Sequence, residues 1–523
     1  LRQCLPGTAK EGRKPIKLGF IMRLHHIVLM VIICSSCIAC SSLPDLEQRT
    51  PSYSVPVSKT QSTRLGQFLS PILRNSPEST GIMPLAEAEP SLDARLILIN
   101  NAQVALDIQY YIWRDDKSGQ RLTKAIFQAA NRGVKVRLLL DDLHSRDIDE
   151  SLQRLNGHPS IEVRLFNPFL PRSSRVLGFI TDFPRANRRM HNKSLTVDNQ
   201  ATIVGGRNIG DDYFYRSDGI LFADLDVLAI GDVVAKVSSD FDAFWNSNSA
   251  YPYELISQST TPSDSTLFIH QTNIDQPSDL SELLDSDSII WAETQIVSDS
   301  PLKALGKAEP DQLIVHALRK IIGQPKKQLL LVSPYFVPTL SGVKALESIA
   351  ENGVSISVLT NSFAATDVAV VHSGYAKWRK RLLEADIRLF EMRPGTVGTD
   401  TTIYESVETS FSSSASSLHA KTFAVDGQRV FVGSFNFDPR SARLNTELGF
   451  VIESPEIAST MADVFIEEVP YSAYEVRLAP SGSLYWLEQN GSHHRRYDTE
   501  PGTTWFQRFS AGFFSLLPID WLL

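Results

Sequence analysis

The chain has 523 residues, 42% of them hydrophobic, and a formal net charge of -8, enough apolar content to build at least two packed domains. Residues 1–39 hold six Lys/Arg against one acid, so the remainder is more acidic than the whole, which argues against a general nucleic-acid binder with a basic surface. All four cysteines (Cys4, Cys34, Cys37 and Cys40) fall in the first 40 residues, so the body has no disulfide framework, cysteine metal site or cysteine nucleophile.

Residues 1–21 precede Met22 and are expected to be upstream translation. Met22-Arg23, the apolar run Ile27 to Ile33 and a small-residue stretch ending at Cys40 form a secretory-signal pattern whose apolar core is too short to span a bilayer comfortably. The small residues before Cys40 match a bacterial lipobox, with Cys37 where Leu is usual, so Cys40 is expected as a lipid anchor holding the chain on the periplasmic side of a membrane. Residues 41–90, rich in Ser, Pro and Thr, are expected to be a tether.

Regular structure is expected to begin with a helix over 94–105 and a strand over 106–113. A helix from Ser118, taken as its N-cap, runs to Arg132 and stops at Gly133, and a buried strand covers 134–140. The second half replays this order, with a strand over 329–337, a helix over 341–352 and a strand over 354–360. A duplicated α/β domain follows, with halves at 91–255 and 289–475, a polar linker at 256–288 and a hydrophobic C-terminal extension at 476–523. Trp505 to Leu523 is strongly apolar and fits either a helix packed on the body or a segment at a lipid interface.

Each half carries H-x-K-x4-D: His191/Lys193/Asp198 in M-H-N-K-S-L-T-V-D, and His419/Lys421/Asp426 in L-H-A-K-T-F-A-V-D. Alternation from Met190 to Asp198 predicts a strand that puts His and Lys on one face. An imidazole serves as nucleophile or general acid, and a lysine offers three donors and a positive charge to phosphate oxygens. Two histidines allow two jobs, attack on phosphorus and protonation of the leaving oxygen, and the arrangement requires no metal or other cofactor. Asp198 and Asp426, seven residues after their histidines, are expected to brace each motif. Small-residue turns follow, Gly205-Gly206-Arg207-Asn208 and Gly433-Ser434-Phe435-Asn436, and the Ser-rich stretch 410–417 reads as a flexible approach to His419. Arg188 and Arg189 offer charge for an anionic headgroup, Lys377 to Arg381 read as a solvated helix face, and His372 as structural.

With both motifs and both turns, the chain resembles the phospholipase D superfamily, and within it the bacterial cardiolipin synthases. Supporting stretches include Asp107-Ile-Gln-Tyr-Tyr-Ile-Trp113, Arg137-Leu-Leu-Leu-Asp-Asp142 and Gly433-Ser-Phe-Asn-Phe-Asp-Pro-Arg-Ser441. The resemblance implies two halves of mixed β-sheet flanked by helices, sharing one active site across a pseudo-twofold axis. It implies His191 as nucleophile and His419 as general acid and base, and Lys193, Lys421, Asn208 and Asn436, with Gly206 and Ser434 in the turns, as the phosphate shell. Asp224 and Glu447 match acids that orient the histidines. Gly206 against Ser434 makes the shell asymmetric and leaves the choice of nucleophile open. The expected activity is transfer of a phosphatidyl group to make cardiolipin from phosphatidylglycerol and a second phospholipid, such as phosphatidylethanolamine. Hydrolysis to phosphatidic acid and a nuclease are the alternatives. The expected partners are phospholipids and a membrane rather than nucleic acid, and the need for an accessory protein stays open.

Overall fold

The computed structural model describes residues 43–509, apart from residues 48, 75, 77–78, 171, 173–174, 215–220, 258–278, 286–287, 367–368 and 395–415. In the first half the strands are β1 (Thr80–Leu85), β2 (Ala105–Tyr110), β3 (Lys135–Asp141), β4 (Ile161–Phe166), β5 (Ser194–Val197), β6 (Ala201–Gly205), β7 (Leu221–Ala223), β8 (Asp226–Gly231) and β9 (Ala250–Pro252). β2, β3 and β4 pair in parallel, and β2 is buried along its whole length although Asp107 and Gln109 alternate with its apolar residues, because Arg137 meets Asp107 and Ser194 meets Gln109. From β2 the sheet continues antiparallel through β5, β6, β8 and β1, and β9 closes the far edge against β4.

The second half has β10 (Ile290–Ser298), β11 (Gln328–Val332), β12 (Ser355–Asn361), β13 (Arg388–Met392), β14 (Ser416–Leu418), β15 (Thr422–Val425), β16 (Arg429–Gly433), β17 (Leu448–Glu453), β18 (Ala473–Leu478), β19 (Leu484–Asn490) and β20 (His493–Tyr497). Its order repeats the first: β11, β12 and β13 are parallel, β15, β16, β17 and β10 extend one side antiparallel, and β18 closes the other. β1 and β10 pair antiparallel, with Gly81 opposite Trp291, and fuse the two sheets. An apolar seam backs this junction, with Ile82, Val204 and Val227 packed among Val332, Val432, Leu448 and Phe450. The duplicated α/β architecture is thus one continuous sheet with two equivalent lobes.

Several sequence expectations change. Residues 43–90 are not a tether. Helix Arg64–Leu73, capped by the Thr63 side chain, buries Leu65 and Leu69 completely, β1 enters the sheet, and Ser54 bonds to Asp107 and Asp242. The Ser/Thr content that suggested a loose chain supplies caps and buried acceptors instead. The first helix covers Ala88–Asn101, and the next, Lys117–Asn131, is capped by Asp116, whose side chain accepts from Gly119 N, rather than by Ser118. The extension expected from residue 476 begins inside β18, since β18, β19 and β20 prolong the second sheet. Leu280, Leu283 and Leu284, at the end of the expected linker, are buried in the first lobe's core. The signal-like segment with Cys40, and residues 510–523, lie outside the described residues. Among the described residues no helix is long and apolar enough to cross a membrane.

Candidate active site

The two H-x-K triplets do not lie in strands, as alternation had suggested. β5 begins at Ser194 and β15 at Thr422, immediately after each lysine. The reason is tertiary, because the backbone ahead of each histidine pairs with the opposite lobe. Met190 forms a parallel bridge with Thr446, His191 N donates to Thr446 O at 2.9 Å, and Thr446 N donates to Arg189 O at 2.9 Å. On the other side β14 pairs in parallel with β7, Leu418 opposite Ala223.

His191 and Glu447 are therefore the residues following one cross-lobe pair, and His419 and Asp224 those following the other. Parallel register sets each imidazole beside an acid of the other lobe. His191 Nδ1 lies 2.8 Å from Glu447 Oε2, and His419 Nδ1 lies 2.5 Å from Asp224 Oδ2. A carboxylate only accepts, so each Nδ1 carries the proton and Nε2 is left for chemistry. Spacing alone does not show that the acids cross over.

Further residues hold these segments, and the sequence reading gave them no role. Asp141, at the end of β3, accepts from Met190 N at 2.8 Å and pairs with Arg189. Asn361, at the equivalent end of β12, brackets Leu418 by accepting from its N at 3.0 Å and donating to its O at 2.9 Å. Asp299 accepts from Glu447 N and from Lys303. For Asp141 and Asn361, a polar residue ending a buried parallel strand was the available signal. Arg189, expected to meet a headgroup, is fully buried and also donates to Phe166 O and Asn167 O. Arg188 donates to the carbonyls of Lys303 and Arg443. Arg379, expected on a solvated face, is buried between Glu391 and Glu500.

The remaining expected site residues divide. Lys193 and Lys421 are buried, and each donates to the carbonyl of its own motif histidine. Tyr111 packs edge-on against His191 and Tyr213 against His419, with centroids 5.0 and 5.3 Å apart. Asn208 is held by Ile112 N and by the Tyr213 hydroxyl, so its amide supports the pocket wall. Asn436 is buried, and its Oδ1 has no hydrogen-bond partner among the described residues.

Asp198 and Asp426 sit in left-handed turns and accept backbone N–H groups, Asp198 from Gln103, Val104 and Ala105, Asp426 from Lys326, Lys327 and Gln328. Neither reaches the histidines through these bonds. Replacing buried Asp198 by Asn weakens these acceptor bonds and is expected to cost about 1–3 kcal/mol in urea unfolding while leaving kcat per folded molecule unchanged. A large kcat loss at unchanged stability would contradict this.

The turn asymmetry acts on the acids. Ser434 Oγ donates to Glu447 Oε2, the oxygen facing His191, at 2.5 Å. At Gly206 a Cβ would lie 2.1 Å from Asp224 Oδ1, so only glycine leaves room for that carboxylate. Gly206→Ala is expected to displace Asp224 and lower kcat by roughly tenfold or more with the fold intact by circular dichroism. Wild-type kcat in that variant would show that the close approach is immaterial.

Electrostatics ties the four groups into one site. Burial, then the charges of Lys193 and Lys421, hold His191 well below its ordinary value, and burial, then Lys421, bring His419 to about 4 despite Asp224, with Lys193 lowering it further. Each lysine thus acts on both imidazoles. Burial brings the Lys193 ammonium down to about 7. Burial raises Glu447 to about 7 against the pull of Lys193 and Ser434, whereas burial at Asp224 is overcome by His419, Lys421 and Arg207, which hold it below the ordinary carboxylate range. Two imidazoles and two lysine heads are thus electrostatically coupled where the lobes meet.

Comparison with known proteins fits this geometry. The family described as "Cardiolipin synthase, PLD-like domain" matches residues 96–245 and 318–469, one match per lobe. "Cardiolipin synthase C" of Escherichia coli (strain K12) is 44% identical over 474 residues, covering 88% of this chain and 100% of that protein. An uncharacterised protein of Helicobacter pylori (strain ATCC 700392 / 26695) is 29% identical, covering 95% of this chain and 99% of its own length. Among solved structures, the phosphatidylserine synthase of Haemophilus influenzae Rd KW20 shares the fold at 14% identity, with a TM-score of 0.51 over 78% of this chain and 91% of that one. Two matched lobes, with paired imidazoles where they meet, place the chain in the PLD-like cardiolipin synthase family, as a phospholipase D-type phosphodiester transferase.

Proposed function

We propose that this chain transfers a phosphatidyl group from one phospholipid to the glycerol headgroup of phosphatidylglycerol, making cardiolipin through a phosphohistidine. His191 Nε2 attacks phosphorus, the bond from phosphorus to the headgroup oxygen breaks, and His419 gives that oxygen its proton. A hydroxyl of the second lipid then passes its proton to His419, its oxygen bonds to phosphorus, and the N–P bond breaks to restore His191. Lys193 and Lys421 carry the charge that spreads over the phosphoryl oxygens. A bound phosphodiester anion offsets the lysine charges that depress the imidazoles, so His419 takes up its proton when substrate is present.

The cross-lobe acids support this division of labour. Asp224 is the more strongly ionised carboxylate and favours an imidazolium at His419, while Glu447, at about 7, once ionised holds the His191 Nδ1 proton and leaves Nε2 free to attack. The observation that carries the lipid reading is the full-length likeness to a cardiolipin synthase across both lobes.

Purified protein is to be incubated with labelled phosphatidylglycerol, with and without phosphatidylethanolamine, and separately with plasmid DNA. Cardiolipin is the expected product. Phosphatidic acid alone would make the enzyme a phospholipase, and nicked DNA without lipid product would make it a nuclease.

The free enzyme's kcat/KM is expected to trace a bell centred near pH 7. It rises as Glu447, at about 7, loses its proton, and falls as Lys193, also at about 7, loses its own. In Glu447→Gln the acidic limb disappears, and an acidic limb unchanged in that variant would refute the assignment.

A further inference from the structure

We propose that two exposed apolar patches, Val176/Leu177/Ile180 on the first lobe and Trp505/Phe506/Phe509 on the second, dock the enzyme on a phospholipid bilayer with the catalytic site between them. The inference rests on the lipid-substrate reading above and names the surface by which that substrate is reached.

On the first lobe the patch belongs to the helix Arg175–Thr181, where Val176, Leu177 and Ile180 are 73, 45 and 72% exposed. The helix is fixed from beneath. Phe179 packs between Phe169 and Phe183, Gly178 lies close against Leu170 O, and Arg175 donates to Leu143 O at 2.6 Å. Arg172 joins it on Asp142. That anchoring loop, residues 142–145, follows β3 and carries His144, whose ring packs on Tyr111, which in turn packs on His191. The patch is thus connected to the reacting imidazole through His144 and Tyr111.

On the second lobe Trp505, Phe506 and Phe509 are 71, 63 and 63% exposed. The chain just before them is fixed over the equivalent loop, which follows β12. Glu500 pairs with His372 at 2.6 Å and with Arg379, His372 packs on Phe363, and Gly502 sits against Ala364. β3 and β12 are equivalent strands, and their terminal residues Asp141 and Asn361 hold the residues preceding His191 and His419. Each patch is thus anchored over the loop that follows one of two equivalent strands, and in the proposed docking pose one broad surface meets both.

Composition selects that surface. Aromatic side chains favour the lipid–water boundary, and exposed aliphatic side chains beside them insert into its apolar layer. The arginines of residues 172–189 are engaged within the protein, Arg172 and Arg175 on Asp142, Arg185 on Asp182, Arg189 on Asp141 and Arg188 on the carbonyls of Lys303 and Arg443, so attachment rests on apolar insertion into the bilayer.

The test uses the full chain, comparing backbone hydrogen exchange with and without vesicles of phosphatidylglycerol and phosphatidylethanolamine. Segments 175–181 and 504–509 are expected to slow together, by about tenfold or more, when vesicles are added. A variant with all six apolar residues replaced by serine is expected to lose this protection and about tenfold of its rate on vesicles, while cleaving soluble bis(p-nitrophenyl) phosphate within about twofold of wild type. Unchanged exchange in both segments, protection of only one, or protection that appears without vesicles and grows with protein concentration, as a second copy would cause, overturns the proposal. Joint protection by vesicles with no phosphatidyl product would leave the docking face standing and remove the lipid-transfer reading instead.

Discussion

His419→Ala is expected to release one equivalent of p-nitrophenolate from phosphatidyl-p-nitrophenol in a burst and then stall with the phosphatidyl group bound to protein, whereas His191→Ala gives no burst. p-Nitrophenolate leaves without a proton, so formation of the N–P bond survives loss of the general acid. Return of the enzyme does not, because the incoming hydroxyl has no base. Steady-state turnover of phosphatidylglycerol should fall roughly ten-thousand-fold in either variant, as when one member of a nucleophile–base unit is removed. The covalent label should be acid-labile and stable in alkali, as a phosphoramidate is. A burst in His191→Ala with none in His419→Ala would exchange the two roles.

The second large effect follows from the crossing of the acids. Since Asp224 contacts His419 at 2.5 Å and Glu447 contacts His191 at 2.8 Å, Asp224→Asn is expected to imitate loss of His419. It should keep the p-nitrophenolate burst and lose about 10²–10⁴-fold in turnover, because an amide holds the imidazole in the wrong tautomer and gives its cation no stabilisation. Glu447→Gln should instead slow the burst itself. If each acid served the histidine of its own lobe, the two phenotypes would be interchanged, so pre-steady-state traces of the pair decide the matter.

Sequence and structure divide this protein along a physical line. The duplication, the two H-x-K-x4-D motifs and the bracing role of Asp198 and Asp426 are legible in the chain because they depend on local spacing. Strand positions were also legible to within a few residues, as with the strand expected over 134–140 and found as Lys135–Asp141. The reading of residues 41–90 as a tether failed because composition reports what a segment is made of and not what it packs against. Leu65 and Leu69 are too few to announce a core, yet both are fully buried. Arg379 and Arg189 failed for the same reason, since a charge run looks solvated until Glu391, Glu500 or Asp141 is brought to meet it.

By itself the sequence marked out two imidazoles and two ammonium heads, recognisable because each motif's chemistry resides in side chains and their immediate neighbours, whereas the two acids, Asp224 and Glu447, came only from the family resemblance. Only the tertiary structure decided which acid serves which histidine. That choice is made by two parallel backbone pairs, Met190 with Thr446 and Leu418 with Ala223, which join residues more than 190 positions apart in the chain. No local pattern encodes them, because the register between lobes is fixed by the β1–β10 junction and the apolar seam behind it rather than by anything beside the motifs.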